Sequence, residues 1–163
     1  MNQISIKQVH VIQDDHLMNT PEDIKIIEDI LFISLRGGAI DGDEYQRSES
    51  GMTAWNIEDP QNPKLIFKFE DPEINGAMDY LLIRNTLFLQ SLYNATFLSI
   101  DLSDINSPKR LDSLKLGGPT SIAYRLFQIE GKEQLIVSCE KNLTAPPEKS
   151  PSSIYQILET FVF

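Results

Sequence analysis

The sequence predicts an all-β protein, a β-propeller-like array of about three four-stranded antiparallel units within a single domain of 163 residues. Three observations carry this reading. A strand-ending motif recurs at a fixed offset. Each copy is preceded by two apolar segments joined by a short polar separator. No segment keeps apolar residues at helical spacing without β-branched runs or prolines.

The motif comes first. Trp55-Asn56-Ile57-Glu58-Asp59-Pro60-Gln61-Asn62-Pro63-Lys64 matches Ile100-Asp101-Leu102-Ser103-Asp104-Ile105-Asn106-Ser107-Pro108-Lys109, with Pro63 and Pro108 45 residues apart. Both run apolar, polar, apolar, polar, Asp, a short turn, then Pro-Lys. The alternation ends a strand. The carboxylates of Asp59 and Asp104 can accept bonds from the next backbone N–H groups and start a turn. Pro63 and Pro108 lack an N–H and suit the first position of a following strand.

The remaining elements follow in order. Unit one spans about 21–70, with strands near 24–28, 30–35, 52–58 and 64–70. In its fourth strand Leu65, Phe67 and Phe69 alternate with charged residues, as in a half-buried strand. Unit two spans about 76–117, with strands near 78–84, 86–92, 96–102 and 110–116 and a bulge near Asp112. The separators Glu28-Asp29 and Arg84-Asn85-Thr86 are of hairpin-turn size. Unit three spans 120–163, with strands near 121–129 and 133–139 and a third at Ser153 to Ile157, but no clear fourth. Residues 4–12 are expected to form an orphan strand within an N-terminal stretch, 1–16, that supplies the fourth strand of unit three in its own chain or, as geometry favours, in a partner's.

The segments Gly51 to Pro63 and Ala95 to Pro108 resemble the LVIVD repeat, which pairs a "gly-leu-x-val-ile-asp" strand with an "Asp-Pro-x-x-Pro" turn and builds propellers in bacterial and archaeal proteins. The resemblance extends over roughly 21–140. Ile105 stands where the first turn proline of unit two would be. Family members usually carry more repeats and often an export signal. The resemblance implies a propeller, brings no general enzymatic activity with it, and transfers no catalytic residue.

Composition limits the partners. The formal net charge is −10, so phosphate backbones are repelled and nucleic acid is disfavoured, whereas a basic protein or peptide is suited. The single cysteine, Cys139, allows no intrachain disulfide and fits a reducing compartment. The start of the chain has no basic stretch followed by a long apolar run, and no stretch approaches a membrane span. A cytoplasmic protein with no membrane contact is therefore expected. The sequons at Asn94 and Asn142 are read as chance matches.

The search for chemistry yields no catalytic constellation. Gly37-Gly38 and Gly117-Gly118 lack the Lys-Ser/Thr and helix of a phosphate loop. His10, His16 and Cys139 show no ligand or nucleophile spacing. Trp55 is expected in the core. The stretch Arg36 to Gly51 is an insertion about 11 residues longer than its counterpart in unit two, since Phe32 and Phe88 are 56 apart whereas Trp55 and Ile100 are 45 apart. Asp41, Asp43 and Glu44 within it are Ca²⁺-type ligands, but they match no EF-hand spacing, and Arg47 neutralises part of their charge. We read this stretch as a solvated acidic loop and as the best candidate interaction site, with Tyr45 and Tyr93 as loop-borne aromatics that favour protein contacts.

The expected function is a non-enzymatic protein-interaction module, of which an acidic inhibitor or immunity-type protein is one version, with no metal and no cofactor. Its rivals are an enzyme or ligand site assembled at a propeller axis from several units, and a fragment of a longer LVIVD-repeat protein. The orphan strand, two units of four and one of three make twelve strands, or three sheets of four. Three such sheets do not close a ring, so a homodimer of six is expected.

Overall fold

The computed structural model describes residues 19–41, 43–94, 96–115, 122–128, 135–140 and 154–158, with side chains described for 19–41, 47–94 and 96–115. The expected orphan strand at 4–12, both histidines, Gly117-Gly118 and Asn142 lie outside the described residues.

The described residues are all-β, and every strand pair is antiparallel. The first sheet orders β1 (Pro21–Ile27), β2 (Ile30–Leu35), β5 (Gly51–Asn56) and β6 (Lys64–Glu70). Between β2 and β5 the chain makes a separate two-stranded hairpin, β3 (Gly38–Ile40) and β4 (Asp43–Ser48). The second sheet is a plain meander of β7 (Ala77–Ile83), β8 (Thr86–Ser91), β9 (Thr96–Asp101) and β10 (Lys109–Lys115). A third sheet orders β11 (Ile122–Gln128), β12 (Leu135–Glu140) and β13 (Ile154–Leu158), and Cys139 lies on β12.

The first two sheets carry the same local devices at corresponding positions. Glu28 and Arg84 open the two-residue turns of β1–β2 and β7–β8 with φ of 55° and 54°. After each third strand the chain returns to that turn, Ile57 donating to the Asp29 carbonyl at 2.8 Å and Leu102 to the Asn85 carbonyl at 2.7 Å. Each first strand is bulged, between Pro21 and Ile24 and between Ala77 and Tyr80. Each fourth strand is bulged too. The bulge expected near Asp112 falls between Arg110 and Asp112, and the first sheet has one opposite Ala54 and Trp55.

Packing explains which residues form the core. The central strands β2, β5, β8 and β9 are buried along most of their length, whereas β10 is largely exposed. Phe32, Met52, Ala54 and Phe67 of the first sheet meet Tyr80, Leu87, Leu89, Leu98 and Ile100 of the second in one cluster. Burying side chains of this size contributes about 1.5–3 kcal/mol each, more than the ~1 kcal/mol of a typical hydrogen bond. Polar contacts then fix the register between the sheets. The Tyr80 hydroxyl donates to the Phe32 carbonyl at 2.7 Å, and the Ser34 hydroxyl to the Met78 carbonyl at 2.6 Å. Trp55 lies, as expected, in a smaller cluster with Ile33 and Leu35 on the other face of the first sheet. Strand β11 runs beside β7 and β8.

Candidate functional site

The stretch 36–51, expected to be a solvated loop, is instead the ordered hairpin β3–β4. Its ends explain the difference. Gly37 takes φ of +80°, and a Cβ there would stand 2.1 Å from the Ser48 carbonyl oxygen, so the two hairpin ends approach each other only because this residue is glycine. Asp41 adopts φ of 52° in the tip, a conformation Asp tolerates better than most residues. Asp43, Glu44 and Tyr45 lie on β4 rather than in a loop, and their side chains are outside the described set.

The hairpin is tied to the turn that leads into the second sheet. The Arg47 N–H donates to Asn75 Oδ1 at 2.8 Å. Ser50 joins both sides, its hydroxyl donating to the Arg36 carbonyl at 2.8 Å and accepting the Gly76 N–H at 3.0 Å. The Ser91 hydroxyl in turn holds Asn75, donating to its carbonyl and accepting its N–H, both at 2.9 Å. Tyr93 lies in a turn and is half-buried. Its ring lies against Gly76, where a Cβ would come within 2.7 Å of it. The Arg47 guanidinium sits 5.5 Å from the ring centre, within cation–π range, with its Nη2 3.5 Å from the tyrosine hydroxyl. The structure therefore brings together two members of the expected set, Arg47 and Tyr93, which are 46 positions apart.

Beside this anchor lies a cleft of about 390 Å³, whose wall includes Arg47, Glu49, Ser50, Glu70, Asp71 and Ile74. Its three carboxylates outnumber its one guanidinium. Asp71 is nearly buried and is paired with Arg110 at 3.1 Å, and Arg110 also reaches Glu73 at 2.8 Å. Hydrogen bonds from Arg110 and Ser113 hold the Glu73 carboxyl below the usual carboxylate range, and the bond to Glu73 raises Arg110 in turn.

Asp59 and Asp104 occupy the turns expected of them. Asp59 Oδ1 accepts the Gln61 N–H at 3.0 Å and its carbonyl the Asn62 N–H at 3.0 Å. Asp104 does the same for Asn106 at 3.1 Å and Ser107 at 3.0 Å. Pro63 and Pro108 directly precede β6 and β10. The sequence reading missed a third turn of this kind, in which Asp71 accepts the Glu73 and Ile74 N–H groups at 2.9 and 3.0 Å. The Asp71-Pro72 dipeptide, repeating Asp59-Pro60, was the available signal.

The reading also missed an ion cluster between the first strands of the two sheets. Lys25 Nζ lies 2.7 Å from Asp79 and 3.0 Å from Asp23, donates to the Tyr80 carbonyl, and stands 4.3 Å from the centre of the Tyr80 ring. Asp23 and Asp79 are 56 positions apart, the spacing of Phe32 and Phe88, so these are carboxylates at matching places in two sheets. Structural bonds account for both. Asp79 is paired with Lys25 and accepts the Tyr80 N–H at 2.8 Å, and the Asp23 carboxylate is paired with the same Lys25 at 3.0 Å. Among the described residues no group of three or more His, Cys, Asp and Glu side chains could hold a metal ion. No helix among them is long and apolar enough to cross a membrane. Compared with known protein families and with curated proteins, the chain matches none.

Proposed function

We propose that this chain is a non-enzymatic protein-interaction module on a partial β-propeller scaffold of the LVIVD-repeat type, and that it binds a basic protein or peptide at the β3–β4 hairpin and the cleft beside it. The scaffold reading is supported by the stacking of four-stranded meanders whose bulges and return bonds fall at corresponding positions. One observation carries the choice of site. The only long insertion into the first sheet's meander is held rigidly by Asn75, Ser50 and Tyr93, next to a cleft lined by Glu49, Glu70 and Asp71. A prefixed recognition element loses little conformational entropy on binding. With a net charge of −10 the surrounding field attracts a cationic partner. A cytoplasmic inhibitor of a basic protein is the version of this function that charge and size favour.

The test compares capture from the native source by the wild-type chain with capture by Glu49→Lys/Glu70→Lys, in which charge is reversed at two exposed cleft positions. The reading expects basic proteins to be enriched by the wild type, released by moderate salt, and lost in the double variant. Enrichment of the same proteins by both chains would defeat it.

A further inference from the structure

We propose that Asn75 is a site of covalent self-modification, losing its side-chain amide by ring closure with Gly76 whenever the β3–β4 hairpin lets go of this turn. Asn75-Gly76 is the one Asn-Gly dipeptide of the chain. Asparagine before glycine is the pair most open to this reaction, because glycine has no Cβ to shield the attacking backbone nitrogen. The fold demands both residues. Gly76 has φ of +78°, and a Cβ on it would crowd the Tyr93 ring. Asn75 Oδ1 receives the Arg47 N–H. A larger residue after the asparagine, which would slow the reaction, therefore does not fit.

The same bonds restrain the chemistry. The nucleophile, the buried Gly76 nitrogen, donates its hydrogen to Ser50 Oγ at 3.0 Å. The electrophile is held by the Arg47 N–H at 2.8 Å. Ring closure swings the Asn75 side chain onto the Gly76 nitrogen, which both bonds oppose. Both come from residues 47–50, where the chain leaves the hairpin, so opening there is what frees the pair to react.

The step balances without a cofactor. The Gly76 nitrogen gives up its proton and bonds to Asn75 Cγ, the Cγ–Nδ2 bond breaks, and ammonia leaves. Water then opens the succinimide. Attack at Cγ gives an ordinary aspartate, and attack at the main-chain carbonyl gives isoaspartate, whose backbone runs through the side chain. Nothing is oxidised or reduced. Isoaspartate lengthens the main chain by a methylene and takes out of it the carbonyl that Tyr93 and Ser91 hold at 3.0 and 2.9 Å. The modified turn no longer fits the hairpin, so its release becomes permanent. This inference concerns how the hairpin is fastened and stands apart from what the hairpin binds.

The experiment incubates the folded wild type, folded Ser50→Ala and the urea-unfolded chain at mildly alkaline pH. Mass spectrometry of the peptide containing residue 75, with isoaspartyl methyltransferase labelling, follows the products. Conversion at Asn75 is expected to be slowest in the wild type and roughly tenfold faster in Ser50→Ala, the easing of local opening that one lost buried hydrogen bond brings. Isoaspartate is expected among the products. An Asn75 that stays intact in both folded chains overturns the inference, as does equal conversion in the two. Should Ser50→Ala fail to fold, urea below the unfolding transition of the wild type decides. Conversion that rises with urea before the transition supports gating by the hairpin, and conversion that rises only with global unfolding overturns it.

Discussion

Three aspartates, Asp59, Asp71 and Asp104, perform the same task, turning the chain by accepting the N–H of the residue two positions on. Replacing Asp59 or Asp104 by Ala is expected to cost about 1 kcal/mol of stability, the worth of a side-chain-to-backbone bond at a turn. Urea unfolding with an unchanged slope and a lower midpoint would show it, and Asn at either position should restore most of the loss. Two of these turns were legible because Pro-Lys follows at the same distance in both. Asp71 was missed because no Pro-Lys closes its turn, and only the Asp71-Pro72 dipeptide, repeating Asp59-Pro60, marks it. Tyr80 offers a pH test. Burial first, then the Asp23 carboxylate, pushes its phenol far above the ordinary value of 10.0. A raised value means that the stabilisation is complete below pH 10 and is lost as pH rises towards the folded-state value, because the unfolded chain alone gains the charge. Absorbance titration should therefore find that at least one of the five tyrosines ionises only as the protein unfolds. Ionisation of all five in the folded protein would contradict the packing around Tyr80.

The β3–β4 hairpin shows where reading from sequence alone stops. Its strands are short and polar, with Ala39 and Ile40 as the only apolar residues of β3 and an Asp-Glu-Tyr-Gln-Arg-Ser run as β4. No periodicity marks them, and their order comes from bonds to the turn before β7. The strands of the sheets were legible because β2, β5, β8 and β9 are strongly apolar. The same insertion concealed the match of Asp23 with Asp79, because it stretches the spacing from 45 to 56 upstream of residue 36. If the hairpin is an addition to a self-sufficient sheet, replacing residues 38–48 with a short Gly-containing turn should leave the far-ultraviolet β signal and cooperative unfolding intact while abolishing partner capture. Loss of cooperative folding would instead make the hairpin part of the core. The bond from Ser50, outside the replaced segment, to Gly76 is the reason to expect survival.

In the whole molecule the first two sheets stack through opposite faces, the Phe32 face of the first on the Tyr80 face of the second. Beside the bonds of Tyr80 and Ser34, Lys25 is a charged link of the one stack whose side chains are described, and it is partly open to solvent while its partner Asp79 is buried. Lys25→Met should therefore cost about 1–3 kcal/mol, the penalty of removing the cation that faces a buried carboxylate. Adding Asp79→Asn should recover part of that, a coupling that a double-mutant cycle would measure. The stacking of successive units was legible in the repeated motif, whereas its polar fastening was not, since Lys25 has no counterpart at the matching place in the second unit, where Leu81 stands. The claim that joins these scales is that the first two sheets stack face to face, Phe32, Met52 and Phe67 of the one on Tyr80, Leu87 and Leu89 of the other. A nuclear Overhauser measurement on the protein tests it most directly. Cross-peaks are expected between the rings of Phe32 and Tyr80, whose centres lie 6.3 Å apart. Absence of any contact between these two rings in the folded protein would contradict it.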